Sequence, residues 1–192
     1  MNMEFIYEIE NALPKDVCEQ IIERFKKDNT KHPSKIGPSG RVNEKVRKST
    51  TLMISGEERW KDIDDILFKA ISRSVIEYGE YIKKYTLDSV HTNLFEDIND
   101  EGYTINEMKV GEFYTWHIDD MVKNGKRRSV SCVLYLNTLE EDQGGCTEFW
   151  CGKKVRPKQG KILLFPSSWT YIHRGAPVKN SGVKYTCVTW IV

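Results

Sequence analysis

The sequence predicts an α+β chain in which helices come first and short strands follow. Two observations carry this. An apolar stripe at helical spacing runs through residues 57–85. From about residue 90 onward, β-branched and aromatic runs alternate with turn signals. Such strand runs build an antiparallel sandwich or barrel, and helices segregated ahead of them make the class α+β. No internal repeat or low-complexity tract points elsewhere.

The 192 residues suffice for one domain with a substantial core. The expected division is 1–88 as helical support, with a basic loop at 31–50, and 89–192 as the β core. Charged residues at 30% and hydrophobic ones at 39% describe an ordinary globular mixture. A formal net charge of +1 gives bulk electrostatics no reason to draw nucleic acid or a membrane. No apolar run approaches the ~20 residues a membrane span requires. Met1-Asn2-Met3-Glu4 lacks the basic flank and apolar region of a secretion signal, so the expected location is cytoplasmic. The cysteines, Cys18, Cys132, Cys146, Cys151 and Cys187, are odd in number and lack a C-x-x-C pair, which reads as reduced thiols. Cys132 and Cys187 fall in strand-like runs and are expected in the core, whereas Cys146 and Cys151 flank a turn.

In chain order, Met3–Ile9 alternates loosely and suits an edge strand. Pro14 suits the first turn of a helix, followed by Val17, Cys18, Ile21, Ile22 and Phe25 at helical spacing. Residues 31–50 hold Pro33, Gly37, Pro38 and Gly40 and six basic residues against the single acid Glu44, which reads as a loop. It is a solvated connector or a flap over a site. Glu57–Tyr85 reads as one long helix, or two broken near Gly79, with its apolar stripe against a sheet. The strand runs are Tyr103–Val110, Phe113–Asp119, Ser129–Leu136, Thr147–Trp150, Lys161–Phe165, Tyr171–Ala176 and Lys184–Val192.

The chemistry concentrates in Phe113–Asp119. On a strand, His117 and Asp119 point to the same face, with Cα atoms roughly 6.5–7 Å apart. That separation lets an imidazole nitrogen and a carboxylate oxygen converge on one ion. A hydrogen-bonded His–Asp pair is the plainer alternative. His173, one of four histidines, lies on a late strand. Two imidazoles and a carboxylate with open positions make the facial set of non-haem Fe(II) oxygenases, and a late histidine beside an early H-x-D suits a jelly roll. A hydrolytic zinc site accepts the same ligands. A chelating 2-oxo acid also needs a cation for its distal carboxylate. Lys184 is the candidate, eleven residues after His173 across the turn Lys179–Gly182. Arg174, next to His173, points to the opposite face. Thr147, after Gly144-Gly145, and Tyr114 offer hydroxyls. Tyr114 has the wrong parity to share a face with His117 unless a bulge intervenes.

These pieces together resemble the Fe(II)/2-oxoglutarate dioxygenases of the prolyl 4-hydroxylase type. The resemblance rests on Phe113–Asp119; Val133-Leu134-Tyr135-Leu136-Asn137 followed by Gly144-Gly145-Cys146-Thr147-Glu148-Phe149; Leu164-Phe165-Pro166; and His173-Arg174-Gly175-Ala176-Pro177-Val178 followed by Gly182-Val183-Lys184-Tyr185 and Trp190. A fainter match is Val46-Arg47-Lys48-Ser49. The resemblance implies a double-stranded β-helix (jelly roll) supported by N-terminal helices, and Fe(II) on His117, Asp119 and His173. It implies 2-oxoglutarate as cosubstrate, held by Lys184 with Tyr114 and Thr147, together with O₂ and, as a further candidate, ascorbate. The implied reaction hydroxylates a C–H bond while 2-oxoglutarate becomes succinate and CO₂. A prolyl residue in a peptide or protein is the first expected substrate, with Arg128 at a substrate-binding position.

The chain departs from the family pattern in three places. The basic anchor falls eleven rather than ten residues after the last histidine. Cys146 stands where glutamate is frequent. Val192 occupies a place where some peptidyl-proline enzymes carry histidine. The alternatives are a free amino acid, another side chain or an alkylated nucleobase on the same catalyst, or a jelly-roll binding protein without catalysis. Neither a membrane nor nucleic acid is an expected partner.

Overall fold

Alternation along the strands decides where everything lies. The computed structural model describes residues 5–37, 40–85, 95, 98–123 and 125–192. Among these, the strands are β1 (Tyr7–Ile9), β2 (His32–Pro33), β3 (Arg47–Lys48), β4 (Thr50–Met53), β5 (Thr104–Met108), β6 (Phe113–His117), β7 (Val122–Lys123), β8 (Lys126–Arg127), β9 (Val130–Tyr135), β10 (Thr147–Phe149), β11 (Lys154–Val155), β12 (Ile162–Pro166), β13 (His173–Gly175) and β14 (Lys184–Ile191). The helices are α1 (Lys15–Lys27) and α2 (Lys61–Lys83).

A seven-stranded sheet runs β1-β12-β9-β14-β5-β4-β2, and a five-stranded sheet runs β11-β10-β13-β6-β3. Strand neighbours in both are antiparallel. On the larger sheet one set of alternate side chains, including Ile105, Cys132, Leu134 and Cys187, packs with Ile21, Phe25, Leu67, Ile71 and Tyr78 of the helices. The opposite set, Asn106, Met108, Ser131, Val133, Lys184, Thr186 and Trp190, lines a cavity that the smaller sheet closes. A period of two thus sends apolar residues to the helices and a mixed set, including Asn106, Ser131, Lys184 and Thr186, to the cavity. A second apolar cluster of Tyr135, Phe149, Leu163, Phe165 and Tyr171 fills the space between the sheets beside it.

Each helix follows its stripe. α1 begins directly after Pro14 and buries Cys18, Ile21, Ile22 and Phe25. α2 runs unbroken through Gly79, where a break was one expectation. Tyr78 and Ile82 are buried on either side of that glycine, and their packing outweighs the ~1 kcal/mol a helical glycine costs. Tyr85, expected within the stripe, lies beyond the helix and is 52% exposed. Cys132 and Cys187 are in the core and all five cysteines are free thiols.

The expected loop at 31–50 is corrected. It supplies β2 and β3 and opens onto β4, which pairs with β5. β3 pairs with β6, setting Arg47 opposite Tyr114. Strands of two residues carry no period, so the breakers dominated the sequence pattern. Of the expected edge strand Met3–Ile9, residues 3 and 4 fall outside the described residues, and Tyr7–Ile9 pairs with β12.

Gly160 fixes how β1 and α1 join the sheet. Its φ is +78°, and an added Cβ would stand 2.4 Å from the Leu13 carbonyl oxygen. Its own carbonyl accepts from Leu13 N at 3.2 Å and its N–H donates to the Tyr135 carbonyl at 2.9 Å. Gly160→Ala is therefore expected to cost about 2 kcal/mol or more, from the left-handed backbone plus the clash. A lower urea midpoint at unchanged slope is the readout.

Candidate metal centre and its cavity

β6 ends at His117, and Asp119 follows two residues on, so both side chains reach the cavity. β13 lies beside β6 with His173 paired to His117. Gly175 pairs with Tyr114, so three steps on β6 match two on β13. The extra residue on β6 is the bulge that Tyr114 requires. Its ring accordingly stacks on the His117 imidazole at 3.5 Å between centroids and 15° between planes.

His117, Asp119 and His173 form a group whose ligand atoms all lie within 4.8 Å of one another. Asp119 Oδ1 is 3.7 Å from His117 Nε2, and Oδ2 is 3.5 Å from His173 Nε2. These separations exceed a good hydrogen bond and leave room for one ion between the three. His117 Nδ1 faces the Thr115 carbonyl at 2.7 Å and His173 Nδ1 faces the Tyr171 carbonyl at 3.0 Å. A carbonyl only accepts, so each Nδ1 carries the proton and each Nε2 offers its lone pair to the centre. Burial, reinforced by His173, pushes the His117 pKa down to about 4, against the opposing charge of Asp119, so the imidazole is neutral at pH 7. Burial opposes ionisation of Asp119. His173, His117 and hydrogen bonds from Trp190 and Ser131 outweigh it and hold the carboxyl below its usual range. Two imidazole Nε2 atoms and a carboxylate are the donor set a divalent transition metal takes, so the residues fit Fe(II).

Ser131 Oγ donates to Asp119 Oδ2 at 2.7 Å and fixes that carboxylate. Ser131→Ala is expected to weaken metal binding about tenfold, as loss of such supports does, measured by metal titration.

Lys184 is buried at 4% exposure and lines the same cavity. Burial pushes its pKa down to about 8, with Cys146 acting the other way. No hydrogen bond or ion pair to its ammonium occurs among the described residues. Nζ lies 5.5 Å from the centre of the Tyr135 ring. The Tyr135 hydroxyl donates to Thr147 Oγ1 at 2.7 Å, leaving the threonine proton for another acceptor. A Cβ on Gly145, at φ +66°, would press on Leu139 at 2.5 Å and meet Lys184 Cδ at 3.6 Å, so Gly144-Gly145 clears space for the lysine stem.

Lys184, Thr147 and Tyr135 therefore cluster, while Tyr114 sits over His117. Sequence reasoning had not singled out Tyr135. Its signal was parity, since it follows Ser131 and Val133 on the inward face of β9. Arg47 stood in the faint match Val46-Arg47-Lys48-Ser49 without a role assigned to it. Arg128, the expected substrate residue, already has a partner: Nε and Nη2 donate to Glu101 at 2.9 and 2.6 Å, and the guanidinium lies 3.6 Å over the Trp190 ring. Its Nη1 reaches the Asp119 carbonyl at 3.4 Å.

A family model described as the 2OG-Fe(II) oxygenase superfamily matches residues 103–192. A PKHD-type hydroxylase of Synechococcus sp. (strain CC9902) is 37% identical over 90 residues, 45% of this chain and 39% of that protein. One from Idiomarina loihiensis is 37% identical over 46% of this chain and 40% of its own length. The chain thus spans about two fifths of these curated relatives. Among solved structures, a prolyl hydroxylase from Trichoplax adhaerens in complex with a hypoxia inducible factor oxygen degradation domain peptide superposes with a TM-score of 0.74 at 18% identity, over 99% of this chain and 84% of that one. A Pseudomonas putida prolyl-4-hydroxylase gives 0.70 at 21% identity, over 98% and 92%. No described helix is long and apolar enough to cross a membrane. The resemblance read from the motifs stands: over residues 103–192 the sequence is similar to the 2OG-Fe(II) oxygenase superfamily, and the fold is shared with solved prolyl hydroxylases.

Proposed function

We propose that the protein is an Fe(II)- and 2-oxoglutarate-dependent oxygenase that hydroxylates a C–H bond, with a prolyl residue in a peptide as the leading substrate. The observation carrying this reading is the meeting of two Nε2 lone pairs and one carboxylate in a cavity that also holds an uncompensated lysine. In this reading the two sheets are the halves of a double-stranded β-helix, with β3 and β4 joining them from the first half of the chain. The peptide bound to the Trichoplax enzyme supports a peptide substrate.

His117, Asp119 and His173 would hold Fe(II). The bound ion supplies activation of O₂, coupled to conversion of 2-oxoglutarate into succinate and CO₂. Lys184 receives the distal carboxylate of 2-oxoglutarate, and Thr147 donates its free proton to it while its oxygen accepts from Tyr135. The Tyr114 ring holds the His117 imidazole flat. Phe149 and Phe165, with centroids 5.9 and 4.7 Å from His173, keep bulk water from that ligand. Arg128 braces Trp190 and the Asp119 backbone, which shapes the substrate side of the cavity.

Succinate release tests the reading. With Fe(II), ascorbate and 2-oxoglutarate, a proline-containing peptide should raise succinate formation and gain one oxygen by mass. A peptide that gains no oxygen, under conditions where another acceptor does, would move the substrate to one of the alternatives. No succinate with any acceptor would remove the enzyme assignment.

A further inference from the structure

Arginines in this chain are paired with acids wherever they are not fully exposed, with one exception. Arg24 meets Asp62, Arg128 meets Glu101 and Arg174 meets Glu148, at 2.6 to 2.7 Å. Arg41 and Arg73 have no carboxylate among the described residues but stand in solvent. Arg47 is half-buried, lines the cavity of the metal centre, and has no carboxylate partner among the described residues.

What surrounds Arg47 is polar but neutral. Nε donates to Ser49 Oγ at 3.1 Å and Nη2 donates to Asn106 Oδ1 at 2.7 Å. Ser49 is tied to Ser34 at 2.6 Å, and Thr51 also donates to Asn106 at 2.6 Å, so the arginine tip is fixed rather than free to swing. The Tyr114 ring lies 4.9 Å away. Nη1 makes no hydrogen bond among the described residues. A guanidinium cannot shed its charge, and neutral acceptors do not cancel it.

Charge balance shows what is missing. A divalent ion with Asp119, and a dicarboxylate with Lys184, leave those four groups neutral together. Arg47 then remains as one positive charge with an open donor. It is also set apart from Lys184: Asn106 pairs with Thr186, and Met108 pairs with Lys184. The two positions lie one same-face step apart, roughly 7 Å along the strand. The side chain of Arg47 is anchored at the Asn106 position, and Lys184 stands opposite Met108.

We propose that Arg47 is a specificity-determining residue that receives a carboxylate carried by the acceptor, within one residue of the reacting C–H bond and beside the Tyr114–His117 stack. This rests on the oxygenase reading and narrows its substrate to acceptors with a nearby acid group.

The test uses the full chain loaded with Mn(II) and 2-oxoglutarate, with binding read by calorimetry and by paramagnetic broadening of probe protons. The probes are N-acetyl-L-proline and its N-methylamide, which differ in the carboxylate alone. The wild type should bind the acid roughly 10- to 100-fold more tightly than the amide, as hydrogen bonds to a charged group require. Arg47→Gln should lose that preference and Arg47→Lys should keep part of it, with the Kd for 2-oxoglutarate unchanged in both. A wild type without preference for the acid overturns the proposal, as does a preference that survives Arg47→Gln. A tenfold loss of 2-oxoglutarate affinity in Arg47→Gln, with the preference intact, assigns Arg47 to the cosubstrate instead. A wild type that binds neither Mn(II) nor 2-oxoglutarate removes the oxygenase reading and this proposal with it. One that binds both yet shows no preference removes this proposal alone.

Discussion

Asp119→Ala is expected to abolish turnover and to weaken metal binding by more than ~100-fold, beyond the range that loss of a supporting hydrogen bond produces. The carboxylate is the one negative charge in the centre, and it faces both imidazoles, one through each oxygen. Without it, two neutral nitrogens remain to hold a dication. The fold should survive. Ser131 and Trp190 lose an acceptor, but Ser131 also lies 2.8 Å from the Ser167 hydroxyl and keeps a partner. Asp119→Asn separates charge from shape, since it keeps the volume and one carbonyl oxygen. It should bind metal more weakly than the wild type while melting within a few degrees of it. Metal titration, thermal melting and succinate release measured on the same preparations make the check. Wild-type Mn(II) affinity in Asp119→Ala would remove Asp119 from the ligand set.

The second large effect belongs to Lys184. Lys184→Ala is expected to raise the Kd for 2-oxoglutarate roughly 10- to 100-fold with metal binding unchanged, because a charge-assisted contact at a buried position is lost. Its pH dependence follows from burial. In the folded chain the ammonium titrates at about 8, whereas an unfolded lysine titrates near 10.4. Between those values the unfolded state carries more protons, so stability rises as pH climbs from about 8 to about 10. Below pH 8 the buried charge is a standing cost that a bound dicarboxylate relieves. Affinity for 2-oxoglutarate should therefore fall as pH passes above about 8, and Lys184→Ala should flatten that slope. Calorimetry from pH 6.5 to 9.5 on both proteins is the measurement. An equal slope in both would place the titrating cation elsewhere.

The parts legible in the sequence were those with a period. α2 declared itself through an apolar stripe, and β9 and β14 through alternation whose two sides now face helices and cavity. His117 and Asp119 were legible because two residues along a strand is one step along a face. Tyr114 was legible only conditionally, and the unequal step between β6 and β13 met the condition. The place of Arg47 in the cavity was hidden, although its motif was quoted, because β3 has two residues and follows a stretch of prolines and glycines. Tyr135 was hidden because an aromatic residue in an apolar strand looks like core, which it also is. The partner of Arg128 could not be read at all: Glu101 lies 27 residues away along the chain, and no local rule couples them.

The family match begins at residue 103, yet the sheets do not. β1 covers β12, β4 covers β5, and β3 covers β6, and all three come from the first half of the chain. A fragment cut at the start of the match would retain His117, Asp119 and His173 and still bare three rows of backbone amides and carbonyls, open invitations to sticky self-association. Homology marks where the reactive groups are written. The piece that keeps those margins covered is longer, since it must include β1, β3 and β4.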